Sequence, residues 1–253
     1  SMGPLNGIKV LEFSGIGPGP YCGMLLADLG ADVIRLSRVS EKGAHNKFDI
    51  HNRSKRTIVA DLKNPKAIKE IKKIIKEVDV LFEGYRPGVM EKLGLSPEKC
   101  LKLNESLVYG RMTGWGQDGP MSKQAGHDIN YISLSGALNA IGDQNSNPSI
   151  PLNLIGDYGG GGMMLAMGIL AGVISSSKTG KGQVIDSAMI DGSLSLMSFF
   201  YSLKQMGIWK DERKSNFLDG AAHFYDTYEC SDNKYIAVGS IESQFYKILL
   251  DKL

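Results

Sequence analysis

Apolar and polar positions fall into short alternating blocks along the chain. Ile8 to Phe13 (IKVLEF) is an apolar run with a Gly/Pro cluster, Ser14 to Pro20, directly behind it. Met24, Leu25, Leu26 and Leu29 then follow a helical pattern that stops at Gly30, and Ala31 to Leu36 reads as a second strand. Strand, Gly-rich turn, helix and strand in roughly thirty residues is a βαβ unit, which implies a parallel sheet and a right-handed crossover. Thr57 to Asp61 predicts a further strand, after which Asn64 and Pro65 supply a helix N-cap and first position. Ile68, Ile71, Ile75 and Val78 recur on one face of that helix, while Lys66, Lys69, Lys73 and Lys76 cover a solvated one. Val80 to Phe82, Leu107 to Arg111 and Val184 to Met189 are the remaining strand-like pieces of this region.

The expected fold is α/β: a Rossmann-like, doubly wound parallel sheet. Residues 3–190 would form this large domain and 191–222 a linker carrying one long helix, Asp191 to Trp209. Residues 223–253 would begin a smaller α+β domain, with strands at Ala222 to Tyr228 and Tyr235 to Val238. Ligands of such sheets bind beyond the carboxyl ends of the strands. The turn Glu83 to Gly88 and the loop Thr113 to Gln117 fall there.

Composition narrows the function classes. The 253 residues carry 29 Lys+Arg against 27 Asp+Glu, so no bulk charge draws the chain to nucleic acid or an anionic membrane. Three widely spaced cysteines, Cys22, Cys100 and Cys230, read as reduced thiols of a cytoplasmic protein rather than a disulfide framework. The four histidines are not set among them at metal-ligand spacing, so no structural metal is expected. No secretory signal precedes the first strand, and Ser1-Met2 reads as a scar of tag removal. Met163 to Ser176, the most apolar run, is too short to span a bilayer and predicts a helix buried on most sides.

Two nucleotide motifs are approached and missed. Gly15, Gly17 and Gly19 are spaced G-x-G-x-G, and Pro18 and Pro20 remove donors that a pyrophosphate would need. Ser37 and Arg38 stand where an NAD site wants an acid, and they suit a phosphate instead. Gly180-Lys181-Gly182 lacks the first glycine of a phosphate loop and the hydroxyl residue after the lysine. The polar stretch 41–56 ends in Arg53, Lys55 and Arg56, which fit either a solvated loop or an anion-binding one.

The residues that suit chemistry lie between Gly126 and Ser177. His127-Asp128 precedes one helical run, and Asp157, followed by Tyr158 and four glycines, precedes another. A lone histidine among apolar and small residues is often structural, and an acid at a helix start can be a plain N-cap. Four successive glycines are poor helix formers, however, and imply close backbone approach. Free N–H groups at Tyr158, Gly159 and Gly160 would then favour a developing oxyanion. Histidine can act as a base near neutrality, and a buried carboxylic acid can return the proton from the other side. Glu242 is a third candidate, as a carboxylate that would fix the imidazole tautomer.

At GHDINYISLSG, PLNLIGDYGGG and TGKGQVIDSAM the sequence resembles the α-methylacyl-CoA racemases of the family III CoA-transferase superfamily. The resemblance begins at GIKVLEFSGIGPGPYCGMLLADLGADVIRL, passes through EGYRPGVMEKLGL and RMTGWGQDGP, and reaches DGAAHFYDTYE and AVGSIESQFY. It implies inversion of 2-methylacyl-CoA thioesters by proton transfer through an enolate, without cofactor or metal. His127 and Asp157 match the family's two bases, and Glu242 the glutamate that pairs with the histidine. Arg38 matches a residue that meets CoA phosphate; Ala60 and the Tyr85-Arg86 turn fall where the nucleotide is held. Lys92 stands where an arginine is expected, offering charge without a bidentate fork. Ile16, Gly126 and Tyr131 complete the substrate-binding set that the resemblance implies. An interlocked homodimer is implied, with Glu242 supplied by the partner and a C-terminal return that lies past Leu253. The alternatives are a CoA transferase with Asp157 as nucleophile, or a CoA-binding fragment left inactive without that return.

Overall fold

A computed structural model describes residues 2–41 and 46–253; of the polar stretch 41–56, residues 42–45 lie outside the described residues. The chain divides into two compact units, residues 1–131 with 153–196, and residues 132–152 with 197–253. The expected domain limits at 190 and 222 differ from this division, because the segment 132–152 belongs with the later part of the chain.

The first unit is built on six parallel strands in the order β3-β2-β1-β4-β5-β6. These are β1 (Lys9–Phe13), β2 (Asp32–Arg38), β3 (Lys55–Ala60), β4 (Val80–Glu83), β5 (Val108–Thr113) and β6 (Gln183–Ala188). Successive residues point to opposite faces, so one face carries Val10, Val80, Phe82 and Val108 and the other Leu11, Leu81 and Tyr109. Helices α1 (Pro18–Asp28) and α7 (Met163–Thr179) cover the first face; α2 (Pro65–Ile75) and α4 (Pro97–Leu103) cover the second. Each large side chain buried in this way contributes roughly 1.5–3 kcal/mol. Strands β1 and β4 are neighbours whose chains wind in opposite directions, and the loops behind them part to leave a crevice.

Local chemistry sets the element ends. The Asn64 side chain accepts the Lys66 N–H at 3.0 Å and Pro65 opens α2, which buries Ile71 and Ile75 as the periodicity predicts. Gly17, at φ +77°, turns the chain from β1 into α1, a backbone region that side-chain-bearing residues rarely adopt. The basic cluster at the start of β3 is paired with carboxylates: Arg53 with Asp28, Lys55 with Glu12 and Arg56 with Asp32. The Lys55–Glu12 pair is 2.8 Å apart with both side chains wholly buried, and Lys55 also donates to the Pro20 carbonyl at 3.0 Å.

A wide, π-type helical segment, Leu154–Gly162, runs directly into α7. Together they make a continuous stretch of 26 residues, with mean hydropathy 1.4 over its most apolar 18, long and apolar enough by length and composition to cross a membrane. Its Leu165, Ala166, Ile169 and Gly172 nevertheless seat on the sheet, as in a core helix. Burial on most sides is not found, since Met163, Met167 and Ile174 are exposed within this chain. The expected long helix Asp191 to Trp209 is likewise two helices, α8 (Met189–Leu196) and α9 (Ser198–Gln205), broken at Met197 where the two units divide.

In the second unit, α6 (Ala137–Ala140) and its following loop are tied to the 210–220 segment by Arg213. The guanidinium donates to the carbonyls of Asn139 (3.1 Å), Asp143 (3.1 Å) and Ser146 (2.6 Å). An antiparallel pair, β7 (Tyr225–Glu229) and β8 (Tyr235–Gly239), and helix α10 (Ser243–Lys252) complete it.

Candidate active site

The crevice beyond β1 and β4 is a cavity of about 360 Å³. Its walls come from the loops after β1 (Gly15 to Gly19), β4 (Gly84 to Pro87) and β5 (Thr113 to Trp115), and from Ser122 to His127. Ile16, Tyr85, Arg86, Gly126, His127, Tyr131 and Asp157 all line it, so residues scattered over the sequence meet in one place. Ile16 is 96% exposed, an apolar side chain held open at the mouth.

His127 immediately precedes α5 (Asp128–Ser135). Its N–H is taken by the Asn130 side chain at 2.9 Å and its carbonyl accepts the Asn130 N–H at 2.9 Å. The imidazole itself is left at the surface of the cavity. Asp157 sits in the first turn of the π-type segment, half-buried, and accepts a hydrogen bond from the Asn153 amide at 3.2 Å. Burial pushes its carboxyl upward; the Asn153 bond opposes this, the Asp128 charge adds to it, and His127 opposes it.

The helix start differs from the expectation: it precedes Asp157 and the glycine run. The segment begins at Leu154, so Tyr158, Gly159 and Gly160 lie past its first turn, and the Tyr158 N–H donates to the Asn153 carbonyl at 3.3 Å. Their amides face back along the helix and are not open to a ligand. The glycines are required by protein rather than by ligand. A Cβ on Gly160 would stand 2.8 Å from the Ser193 nitrogen, and one on Gly192 would stand 1.8 Å from the Gly160 carbonyl oxygen. At the start of α5 the Asn130 and Tyr131 N–H groups are taken by the His127 carbonyl, and the donor without a preceding helical turn to receive it is the Asp128 N–H.

Of the residues assigned to CoA, Arg38 and Tyr85 are brought together: the guanidinium carbon lies 4.4 Å from the ring centroid. Ala60 is the register partner of Arg38 across β2 and β3. Lys92, at the end of α3 (Val89–Lys92), lines a separate groove with Leu62, Lys63, Lys69 and Lys72. Glu242 belongs to the second unit, immediately before α10, where its side chain makes no capping bond.

The sequence reading named Asp128 and Arg111 without giving either a role in the site. Asp128 accepts the Asp157 N–H at 2.8 Å and is itself 7% exposed. Arg111, buried within β5, contacts Glu83 and Glu91, each at 2.8 Å, and Glu83 accepts the Tyr85 N–H at 2.8 Å. This fixes the Tyr85-Arg86 turn. An arginine inside a strand otherwise reading as buried was the available signal, since a buried charge needs partners. Among the described residues, no group of three or more His, Cys, Asp or Glu could hold a metal ion.

The chain matches the profile of CoA-transferase family III over residues 5–253. It is 47% identical to the α-methylacyl-CoA racemase of Mus musculus over 98% of its own length and 64% of the racemase. It is 31% identical to the human succinyl-CoA:glutarate CoA-transferase, covering 95% of this chain and 57% of that protein. The crystal structure of a CAIB/BAIF family protein from Brucella suis superposes with a TM-score of 0.82 at 28% identity, covering 98% of this chain and 69% of that one. The chain therefore spans less than two thirds of the length of the mouse racemase it matches.

Proposed function

Because this chain belongs to CoA-transferase family III, we propose that it carries the proton-transfer centre of an α-methylacyl-CoA racemase. The observation that carries this reading is the presence of His127 and Asp157, two groups of opposite proton-transfer character, on the walls of one cavity at the sheet's switch point. The thioester carbonyl would meet the start of α5, where the Asp128 N–H would stabilise an enolate oxygen. One base would remove the α-proton and the other would return a proton from the opposite face. The nucleotide would lie along Arg38, Ala60 and the Tyr85-Arg86 turn, with Lys92 supplying further positive charge. Glu242 would orient the imidazole from the partner subunit of an interlocked homodimer. The chemistry would need no cofactor, and the unpaired cysteines suit a cytoplasmic setting.

Incubation with a 2-methylacyl-CoA in deuterated buffer tests the reading. Deuterium should enter the α-carbon, and it should stop entering in His127→Ala and Asp157→Asn variants; full exchange in both variants would sink the two-base assignment. A second reading, CoA transfer with Asp157 as nucleophile, is favoured by the likeness to the human transferase. An acyl adduct at Asp157 that hydroxylamine releases would select it. A third, a CoA-binding piece that needs further chain for turnover, is removed by exchange with this chain alone.

A further inference from the structure

Asp128 is buried and charged, and nothing in the proton-transfer scheme uses its carboxylate. One oxygen accepts the Asp157 N–H at 2.8 Å; the other is buried with no hydrogen-bond partner among the described residues. An asparagine would supply the same acceptor without burying a charge, and an unpaired buried charge is costly. Burying the charge itself therefore requires a reason. The geometry points to Asp128 as a positioning residue for Asp157: it anchors the Asp157 backbone at the start of the π-type segment and holds a like charge beside the Asp157 carboxylate.

The consequence is a stronger base. A neighbouring negative charge disfavours ionisation of Asp157, in the same direction as its burial, so the carboxylate binds a proton more tightly. The other groups that bear on Asp157 are His127, just before α5, Tyr131 in α5, Asn153, just before the π-type segment, and Tyr158 in that segment. Arg86, from the loop after β4, acts on Tyr131. Asn153 and His127 pull Asp157 down. Among these groups Asp128 is the one that couples to Asp157 through both its backbone bond and its charge. A general base works best when its pKa lies near the operating pH, so a carboxylate raised above its solvated value is better suited to removing an α-hydrogen.

The inference rests on Asp157 being a proton carrier, and its test separates the two ideas. In chain labelled with carboxyl-13C aspartate, Asp157 is assigned by its loss in Asp157→Asn and titrated by NMR. In Asp128→Asn, which keeps the acceptor, the Asp157 midpoint should fall while its amide stays protected from hydrogen exchange. In Asp128→Ala the midpoint should fall and that protection should be lost as well. An unchanged midpoint in either folded variant overturns the inference. In the deuterium assay, Asp128→Ala should slow α-exchange on the order of tenfold to a hundredfold through misplacement of Asp157. If the midpoint shifts but Asp157→Asn leaves α-exchange intact, the positioning stands and the racemase reading fails.

Discussion

Glu12 and Asp128 are both buried carboxylates of the first unit, and they are treated oppositely. Glu12, in the middle of β1, lies 2.8 Å from the Lys55 ammonium, which also reaches the carbonyl of Pro20 in the first turn of α1. Asp128 has one backbone amide and a second oxygen without a partner among the described residues. Glu12 does not reach the cavity, whereas Asp128 touches the residue that lines it. The charge that is neutralised ties strand, helix and loop together. The charge left open adjusts a neighbour. A folded domain tolerates the second kind only where reactivity is worth the loss of stability.

The largest expected effects fall on the open side of that contrast. Asp157→Asn or His127→Ala should each lower α-deuterium exchange by about 10²–10⁴-fold, the range for loss of a general acid or base. Neither should lower thermal stability appreciably, since both side chains border a cavity. Loss of fold in either variant would remove the distinction between the two carboxylates.

On the closed side, Lys55→Met should cost about 3–5 kcal/mol in denaturant titrations, because it strands Glu12 in the interior. Burial pushes the Glu12 carboxyl up to about 7 even with Lys55 present, from an unfolded value of 4.5. A carboxyl raised on folding gives stability that is present below the unfolded value and lost as pH rises through the folded one. Lys55→Met should therefore be more stable at pH 5 than at pH 8, and Glu12→Gln/Lys55→Met should recover most of the loss. A pH-independent Lys55→Met would show that Glu12 finds another partner.

A smaller effect tests packing against charge. Gly192→Ala places a methyl 1.8 Å from the Gly160 carbonyl oxygen, a backbone contact that no rotamer change relieves. The cost should be about 1–3 kcal/mol, measured by the same titration. Because Gly160 follows Asp157 on the same segment, exchange activity should fall along with stability. An unaffected activity would place the catalytic turn outside the reach of the glycine packing.

What the sequence made legible follows the range of each interaction. The strands, the Asn64-Pro65 start of α2 and its isoleucine face were readable because periodicity and capping act within a few residues. The ligand side of the sheet, beyond the carboxyl ends of its strands, was readable in the Glu83 to Gly88 turn and the Thr113 to Gln117 loop, and residues of both line the cavity with His127 and Asp157. The glycine run implied close backbone approach, which is present, but its partner, the Gly192 backbone, is distant in sequence and could not be named. Asp128 was passed over because the amide it accepts lies 29 residues further on. Arg111 stood in plain view, but its partners Glu83 and Glu91 come from another strand and a short helix. Glu242 remains tied to the site by resemblance alone.

The smallest effect belongs to a third carboxylate, Asp28, which is paired like Glu12 but open to water. Arg53 meets it with two hydrogen bonds, of 3.0 and 2.5 Å, with 48% and 36% of the two side chains exposed. The hydrogen bond from Arg53 holds the Asp28 carboxyl below its ordinary value. A carboxyl depressed on folding contributes stability above its unfolded value and loses it as pH falls through the folded one. Here that contribution is screened, because water and salt solvate both groups in the unpaired state as well. Arg53→Ala should leave the denaturation midpoint at pH 7 and 0.15 M salt within measurement error, with a small decrease only at low salt. A loss as large as that of Lys55→Met would mean that burial is not what separates the two pairs, and the contrast between closed and open charges would need another basis.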